Sequence, residues 1–256
     1  MKLQLLLNQQ FFILLCSVLL SSCKVDEYNP VFPADKQIAH RGYWTAGAME
    51  NSLLAVKYAI DAGLYGAEID IHQTKDKICV LNHDVRYKHQ YIPKMTYQEI
   101  LDKTNDQWGA LPLLEDVLSI IEDAPNFTLI IEIKTAHDVV SIIDLVSKYQ
   151  VEDQIVFFSA DVAYCMQIIQ NNPHLRVAYL NDDISPSQLY ECGFYGLAYG
   201  YWVYLANPEW ISTAKDLGMK VFAWTVDDGV TMRQLFSLNV DYIITNIPRI
   251  AANFKL

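Results

Sequence analysis

Basic residues are scarce in this chain: 19 Lys and Arg stand against 30 Asp and Glu, for a net charge of −11. There is no Lys/Arg-rich block and no basic stripe interleaved with aromatics, which argues against nucleic acid as a partner. Cysteine is sparse as well. Of the five, Cys16 and Cys23 fall near the N-terminus, while Cys79, Cys165 and Cys192 are odd in number and widely spaced. That spacing excludes a disulfide framework or a zinc site, and buried, unreactive thiols are expected. The apolar run at 11–20 is too short to cross a bilayer by itself. No internal repeat or low-complexity tract occurs, and no G-x-G-x-x-G follows the first expected strand, where a doubly wound sheet would bind a nucleotide.

What is present begins with an export pattern. Lys2 precedes the apolar run, small residues follow it, and Leu20-Ser-Ser-Cys23 resembles a bacterial lipobox. The pattern implies a signal over 1–22, a lipid on Cys23 and a flexible tether over 23–34. The protein is then expected as an exported lipoprotein, held on a periplasmic or cell-surface face of a membrane. An ordinary signal or an uncleaved anchor is the alternative. The rest, 35–256, has the length and the apolar content of one domain.

From residue 37 onward, short apolar runs alternate with segments of helical period. Strands are expected at 37–40, 66–72, 78–82, 127–134, 154–159, 175–180, 196–199, 220–226 and 242–245. Helices are expected at 51–63, 96–101, 113–123, 138–149, 162–170, 186–190, 208–217 and 229–238. Such alternation implies parallel βαβ units, and about eight of them point to a single-domain TIM-type (β/α)8 barrel.

A parallel strand covered on both faces should be apolar throughout, and two of these are not. In Gly66-Ala-Glu-Ile-Asp-Ile-His72, alternation sends Ala67, Ile69 and Ile71 to one face and Glu68, Asp70 and His72 to the other. In Thr128-Leu-Ile-Ile-Glu-Ile-Lys134 it places Glu132 and Lys134 together. Buried carboxylates about 7 Å apart along a strand need positive charge between them. A hard cation, Ca²⁺ or Mg²⁺, suits an all-oxygen set; pairing with Lys134 or Arg41 is the other solution. His40 ends the first expected strand and His83 falls just after the third, the end at which barrel enzymes place their chemistry. The remaining histidines are read as structural.

The steps H-R-G at 40–42, E-N at 50–51, E-x-D at 68–70, H-D at 83–84, L-P-L-L-E-D-V-L at 111–118, E-I-K at 132–134 and W-T-V at 224–226 follow one another in order. Together they resemble the glycerophosphodiester phosphodiesterase family. The resemblance implies metal-dependent hydrolysis of a glycerophosphodiester to glycerol 3-phosphate and an alcohol. It implies one divalent ion, Ca²⁺ or Mg²⁺, on Glu68, Asp70 and Glu132, with His40 and His83 as the acid–base pair. Arg41 and Lys134 would hold the phosphate, Glu50 and Asn51 would sit at the same mouth, and Trp224 would line it. Tyr199, Tyr201 and Trp202, read as ending another strand, could line it or belong to the core. Phospholipase C- or D-like cleavage of intact lipid, or a binding barrel without activity, are the alternatives.

The match departs from the family's pattern at a few places. Met49 stands where proline is usual before E-N. Asp227 replaces the asparagine common after W-T-V, and Asn246 replaces an aspartate near the end. The stretch 84–94, DVRYKHQYIPK, lacks the usual threonine- and asparagine-rich segment.

Overall fold

A computed structural model describes residues 32–104 and 110–248. The expected signal, Cys23 and nearly all of the tether lie outside the described residues. Eight parallel strands close on themselves in chain order: β1 (Gln37–Ala39), β2 (Gly66–Gln73), β6 (Thr128–Thr135), β7 (Ile155–Ser159), β8 (Arg176–Tyr179), β9 (Gly196–Gly200), β10 (Lys220–Trp224) and β11 (Tyr242–Thr245). β11 pairs with β1, and β1 pairs in turn with β2, which completes the ring. The fold is a TIM-type (β/α)8 barrel.

The ninth expected strand is β3 (Cys79–Leu81), which runs antiparallel against the far end of β2. It occupies the edge that β1 vacates, because β1 pairs with β2 only at Gly66 and Ala67. β4 (Arg86–Tyr87) and β5 (Gln90–Tyr91) form a small hairpin in the atypical stretch that the periodicity did not foreshadow. Lys88 and His89 turn it with φ of 46° and 67°, the left-handed pair that a two-residue hairpin requires.

Alternation along the strands builds two cores. One face packs under the helices: Ala67, Ile69 and Ile71 from β2 meet Leu129, Ile131 and Ile133 from β6 within the large outer cluster. The other face fills the barrel with Ile38, Ile130, Val156, Phe158, Ala178, Ala198, Phe222 and Ile244. Stacked Tyr65, Tyr242 and Phe222 continue this inner layer. Each fully buried large apolar side chain contributes about 1.5–3 kcal/mol, so the inner layer stabilises the barrel while also sealing it as a floor. Two residues further along, the same inward parity reaches His40, Glu132, Leu180, Trp224 and Asn246, and on β2 it reaches Glu68 and Asp70. The polar site therefore follows from strand geometry.

Local caps define the helices. Ser52 accepts from Ala55 N–H to start Leu53–Asp61, and Thr96 with Glu99 forms a capping box on Tyr97–Leu101. One helix had no counterpart in the periodicity: Tyr201–Ala206 follows β9 directly, so Tyr201 and Trp202 open a helix and do not end a strand. Cys79 and Cys165 are buried, and burial pushes both thiols up to about 12. Cys192 is exposed, against the expectation of burial, because it caps the short helix Pro186–Glu191 at the surface.

Candidate active site

β1 ends at Ala39, and His40-Arg41-Gly42 turns the chain sharply out of the sheet. Arg41 and Gly42 both have left-handed φ, 56° and 77°. A Cβ on Gly42 would stand 2.6 Å from the Ala55 Cβ, so glycine is needed for the conformation and for the helix packed above it. The left-handed Arg41 costs about 1–3 kcal/mol. It is held there by its backbone N–H, donated to Glu68 Oε2 at 2.9 Å. The turn that presents the first histidine is thus tied to the first carboxylate.

Asp70 and Glu132 are register partners on β2 and β6, and Glu68 lies one step earlier on the inner face of β2. One oxygen from each of the three falls within 4.8 Å of the others. Glu68 is 3% exposed and Asp70 1% exposed, and Glu68 Oε1 and Asp70 Oδ1 have no hydrogen-bond partner. Burial, and then the neighbouring carboxylates, hold Glu68 well above the usual carboxylate range. The same causes raise Glu132 to about 7.

Both expected solutions to this charge problem bear on the site. Lys134 Nζ lies 2.8 Å from Glu132 Oε1 and 3.6 Å from Asp70 Oδ1, and Arg41 Nε lies 3.7 Å from Asp70 Oδ2. Burial alone would lower Lys134, but Glu132 and Asp70 hold it above its ordinary value. Two cations still leave two carboxylate oxygens without a hydrogen bond in a buried place, a costly arrangement. The set is all oxygen, with no Cys or His in it, and it fits a hard divalent cation.

The ladder between β2 and β6 slips after Ile71: His72 pairs with Thr135, which leaves Lys134 as an extra residue. Such an irregularity re-aims a side chain, and here the ammonium reaches both Glu132 and Asp70. His72 is buried, with Nδ1 2.9 Å from Thr135 Oγ1 and Nε2 3.3 Å from the His83 carbonyl. These bonds hold the ring beneath the loop that carries His83.

His40 and His83 face one cavity of about 460 Å³, together with Arg41, Glu68, Glu132, Lys134 and Trp224. His40 Nδ1 lies 2.9 Å from Asn246 Oδ1 and its Nε2 lies 3.9 Å from Glu68 Oε2. Burial pulls its pKa below the ordinary value. His83 Nδ1 lies 2.9 Å from Asp84 Oδ1.

Glu50 and Asn51 support the cavity from outside its wall. Glu50 accepts from Arg41 Nη1 at 2.9 Å. Asn51 lies buried behind Asp70: its Nδ2 donates to Asp70 Oδ2 at 2.8 Å, and its Oδ1 accepts from the Asp70 N–H at 2.9 Å. Both ends of the Asn51 amide thus grip one residue of the trio, Asp70.

The opposite wall is aromatic. Trp224 donates from Nε1 to the Ala198 carbonyl at 2.7 Å, and Trp202 meets it edge-on at 5.7 Å. A Cβ on Gly200 would stand 2.3 Å from the Trp202 ring, so glycine there lets the indole fold back over the strand end. Phe158, Leu180, Asn181 and Asp182 also line the cavity and were not singled out from the sequence. The polar run Asn181-Asp-Asp183, directly after β8, was the available signal, since strand ends carry the site in this fold. Within the atypical stretch, Arg86, Lys88, His89 and Tyr91 do not line this cavity.

Carboxylates, cations and two histidines over the C-terminal mouth of such a barrel define an enzyme acting on an anionic ester. The comparison with known proteins narrows this class. The sequence pattern of the glycerophosphoryl diester phosphodiesterase family matches residues 40–250, and the chain belongs to that family. It is a phosphoric diester hydrolase by this membership. A glycerophosphodiester phosphodiesterase from Caldanaerobacter subterraneus subsp. tengcongensis is 28% identical over 84% of this chain and 96% of its own. The crystal structure of a glycerophosphodiester phosphodiesterase from Parabacteroides distasonis superposes with a TM-score of 0.79 at 35% identity, covering 83% of this chain and 93% of that one. A phosphodiesterase from Oleispira antarctica, solved with the product sn-glycerol-3-phosphate, shares the fold at a TM-score of 0.73 and 20% identity, over 84% and 94% of the two chains.

Proposed function

We propose that this chain hydrolyses a glycerophosphodiester to glycerol 3-phosphate and an alcohol, with one divalent ion, Ca²⁺ or Mg²⁺, held by Glu68, Asp70 and Glu132. The observation that carries the reading is the buried carboxylate trio, two of whose oxygens have no hydrogen-bond partner, lying between two histidines and two cations. A bound ion supplies Lewis-acid stabilisation of charge developing on the phosphoryl oxygens. Arg41 and Lys134 bind the diester anion and hold it against the overall negative charge of the protein. One histidine takes a proton from the attacking hydroxyl as the new P–O bond forms. The other gives a proton to the departing alkoxide as the old one breaks. The product complex of the Oleispira phosphodiesterase supports glycerol 3-phosphate as the retained half.

The test is a product assay on protein lacking residues 1–23. Glycerol 3-phosphate should appear from soluble glycerophosphodiesters, stop on EDTA and return with Ca²⁺ or Mg²⁺, with intact phospholipid turned over far more slowly. Undiminished turnover in EDTA would remove the metal assignment, and preference for intact lipid would favour a phospholipase.

We also propose export and lipid anchoring through Cys23, on the strength of the lipobox-like Leu20-Ser-Ser-Cys23. Mass spectrometry of the mature protein from a bacterial host should show a diacylglyceryl-modified Cys23 as its first residue. A mature chain that begins elsewhere, or an unmodified cysteine, would refute the anchor.

A further inference from the structure

Two of the departures from the family's pattern, Asp227 and Asn246, fall on one hydrogen-bonded pair. Asn246 Nδ2 donates to Asp227 Oδ2 at 2.8 Å, and Asn246 N–H donates to Asp227 Oδ1 at 2.8 Å. Thr245 Oγ1 donates to the same Oδ1 at 3.0 Å, and Thr45 Oγ1 donates to the Asn246 carbonyl at 2.7 Å. The other end of the amide, Oδ1, meets His40 Nδ1 at 2.9 Å and accepts from Trp44 Nε1 at 3.3 Å.

An asparagine amide can be turned either way, so its neighbours must decide. Here two independent neighbours agree. An ionised Asp227 only accepts, so Nδ2 must face it; the Trp44 indole only donates, so Oδ1 must face Trp44. Oδ1 is then the atom presented to His40, and because it only accepts, the His40 proton sits on Nδ1. Nε2, on the Glu68 side of the ring, is left with its lone pair. The opposite outcome is costly elsewhere: an amide beside a catalytic imidazole can impose the wrong tautomer, at up to about 10⁴ in kcat.

We propose that Asn246, locked in orientation by Asp227, is the positioning residue that keeps the His40 proton on Nδ1, so that His40 acts as the general base through Nε2. His83 is then the acid. The proposal rests on the reaction given above but is read out separately, from the tautomer of one ring.

The test uses the mature chain with ¹⁵N-labelled histidine, at alkaline pH where the ring is neutral. The wild type should show Nδ1 protonated in His40. In Asp227→Asn, the new amide keeps its oxygen on the Asn246 and Thr245 donors and turns its NH₂ toward Asn246 Nδ2. Asn246 then flips, giving up the longer 3.3 Å bond from Trp44 Nε1 to escape the facing NH₂ groups, and donates to His40 Nδ1, which moves the proton to Nε2. The expected readout is that switch of tautomer with a fall in kcat of about tenfold or more, within the 10²–10⁴ that proton transfer contributes, and little change in KM. Adding Asn246→Asp places a pure acceptor on His40 again, so the double variant should recover the Nδ1 tautomer and most of kcat. A folded Asp227→Asn protein, judged by its melting transition, that keeps the Nδ1 tautomer and full kcat overturns the proposal. So does a folded double variant left on Nε2. A wild-type protein inactive on every diester would instead overturn the reaction, and the spectra would still decide the role of Asn246.

Discussion

His40→Ala and His83→Ala should each lower kcat on a glycerophosphodiester by about 10²–10⁴-fold, the contribution of a positioned proton donor or acceptor, with KM changed far less. Both rings line the cavity, and neither is needed to build it. The floor is apolar and independent of them, and the Arg41 and Gly42 backbone is tied to Glu68. Calorimetry should therefore show divalent-ion binding preserved in both variants. The double variant should be little worse than the poorer single one, since residues that work as a unit are not additive. Turnover within about threefold of wild type in either single variant would remove that ring from the reaction, because proton transfer contributes far more than that.

Metal-free protein is expected to lose stability as pH rises toward and past neutrality, with the loss centred on the carboxylate trio. Glu132 is raised from an ordinary 4.5 to about 7 by burial and by Asp70, and Glu68 is raised in the same direction. A carboxyl that binds its proton more tightly when folded stabilises the fold fully below its unfolded pKa. That contribution disappears as pH climbs through the folded value. For Glu132 the window runs from about 4.5 to about 7, and the effect reaches on the order of 3 kcal/mol.

Glu132→Gln isolates this term, because the amide has similar shape and no charge. Its melting temperature relative to wild type should rise between about pH 5 and pH 8 by several degrees, each kcal/mol being worth about 2–4 °C at this size. Saturating Ca²⁺ or Mg²⁺ should stabilise the wild type at the higher pH and release protons as it binds, because the ligands must be deprotonated. The same ion should do little for Glu132→Gln. A pH-independent difference between the two proteins, or equal stabilisation of both by the ion, would remove Glu132 from the ligand set.

The barrel was legible because its signals are local. A strand repeats every two residues and a covered helix every 3.6, so parity alone separated Ile69 from Asp70 and Ile131 from Glu132. The same parity placed Glu68, Asp70, Glu132 and Lys134 on the inner face, and a position at or just past a strand end singled out His40 and His83. The order of the strands followed as well, since consecutive βαβ units with one hand close in chain order.

What stayed hidden was set by partners distant in sequence. The Lys134 ammonium reaches Asp70 across a slip between β2 and β6, which no pattern within either strand records. Asn51 reads as a residue of the mouth until the fold brings Asp70 against both ends of its amide. Trp202 reads as the end of a strand, but the chain turns into a helix at Tyr201 and the indole folds back over Gly200 onto Trp224. Cys192 looked like a core thiol and lies at the surface.

By itself, then, the sequence determined the barrel, the inward face of each strand and the residue types gathered at its mouth, because backbone periodicity and the cost of burying charge act over a few neighbouring residues. Only the tertiary structure decided how those side chains are held. The amide of Asn246, 206 positions from His40, is oriented by Asp227 and Trp44. Hydrogen-bond direction depends on where donors and acceptors meet in space, and that meeting exists only once the barrel has closed.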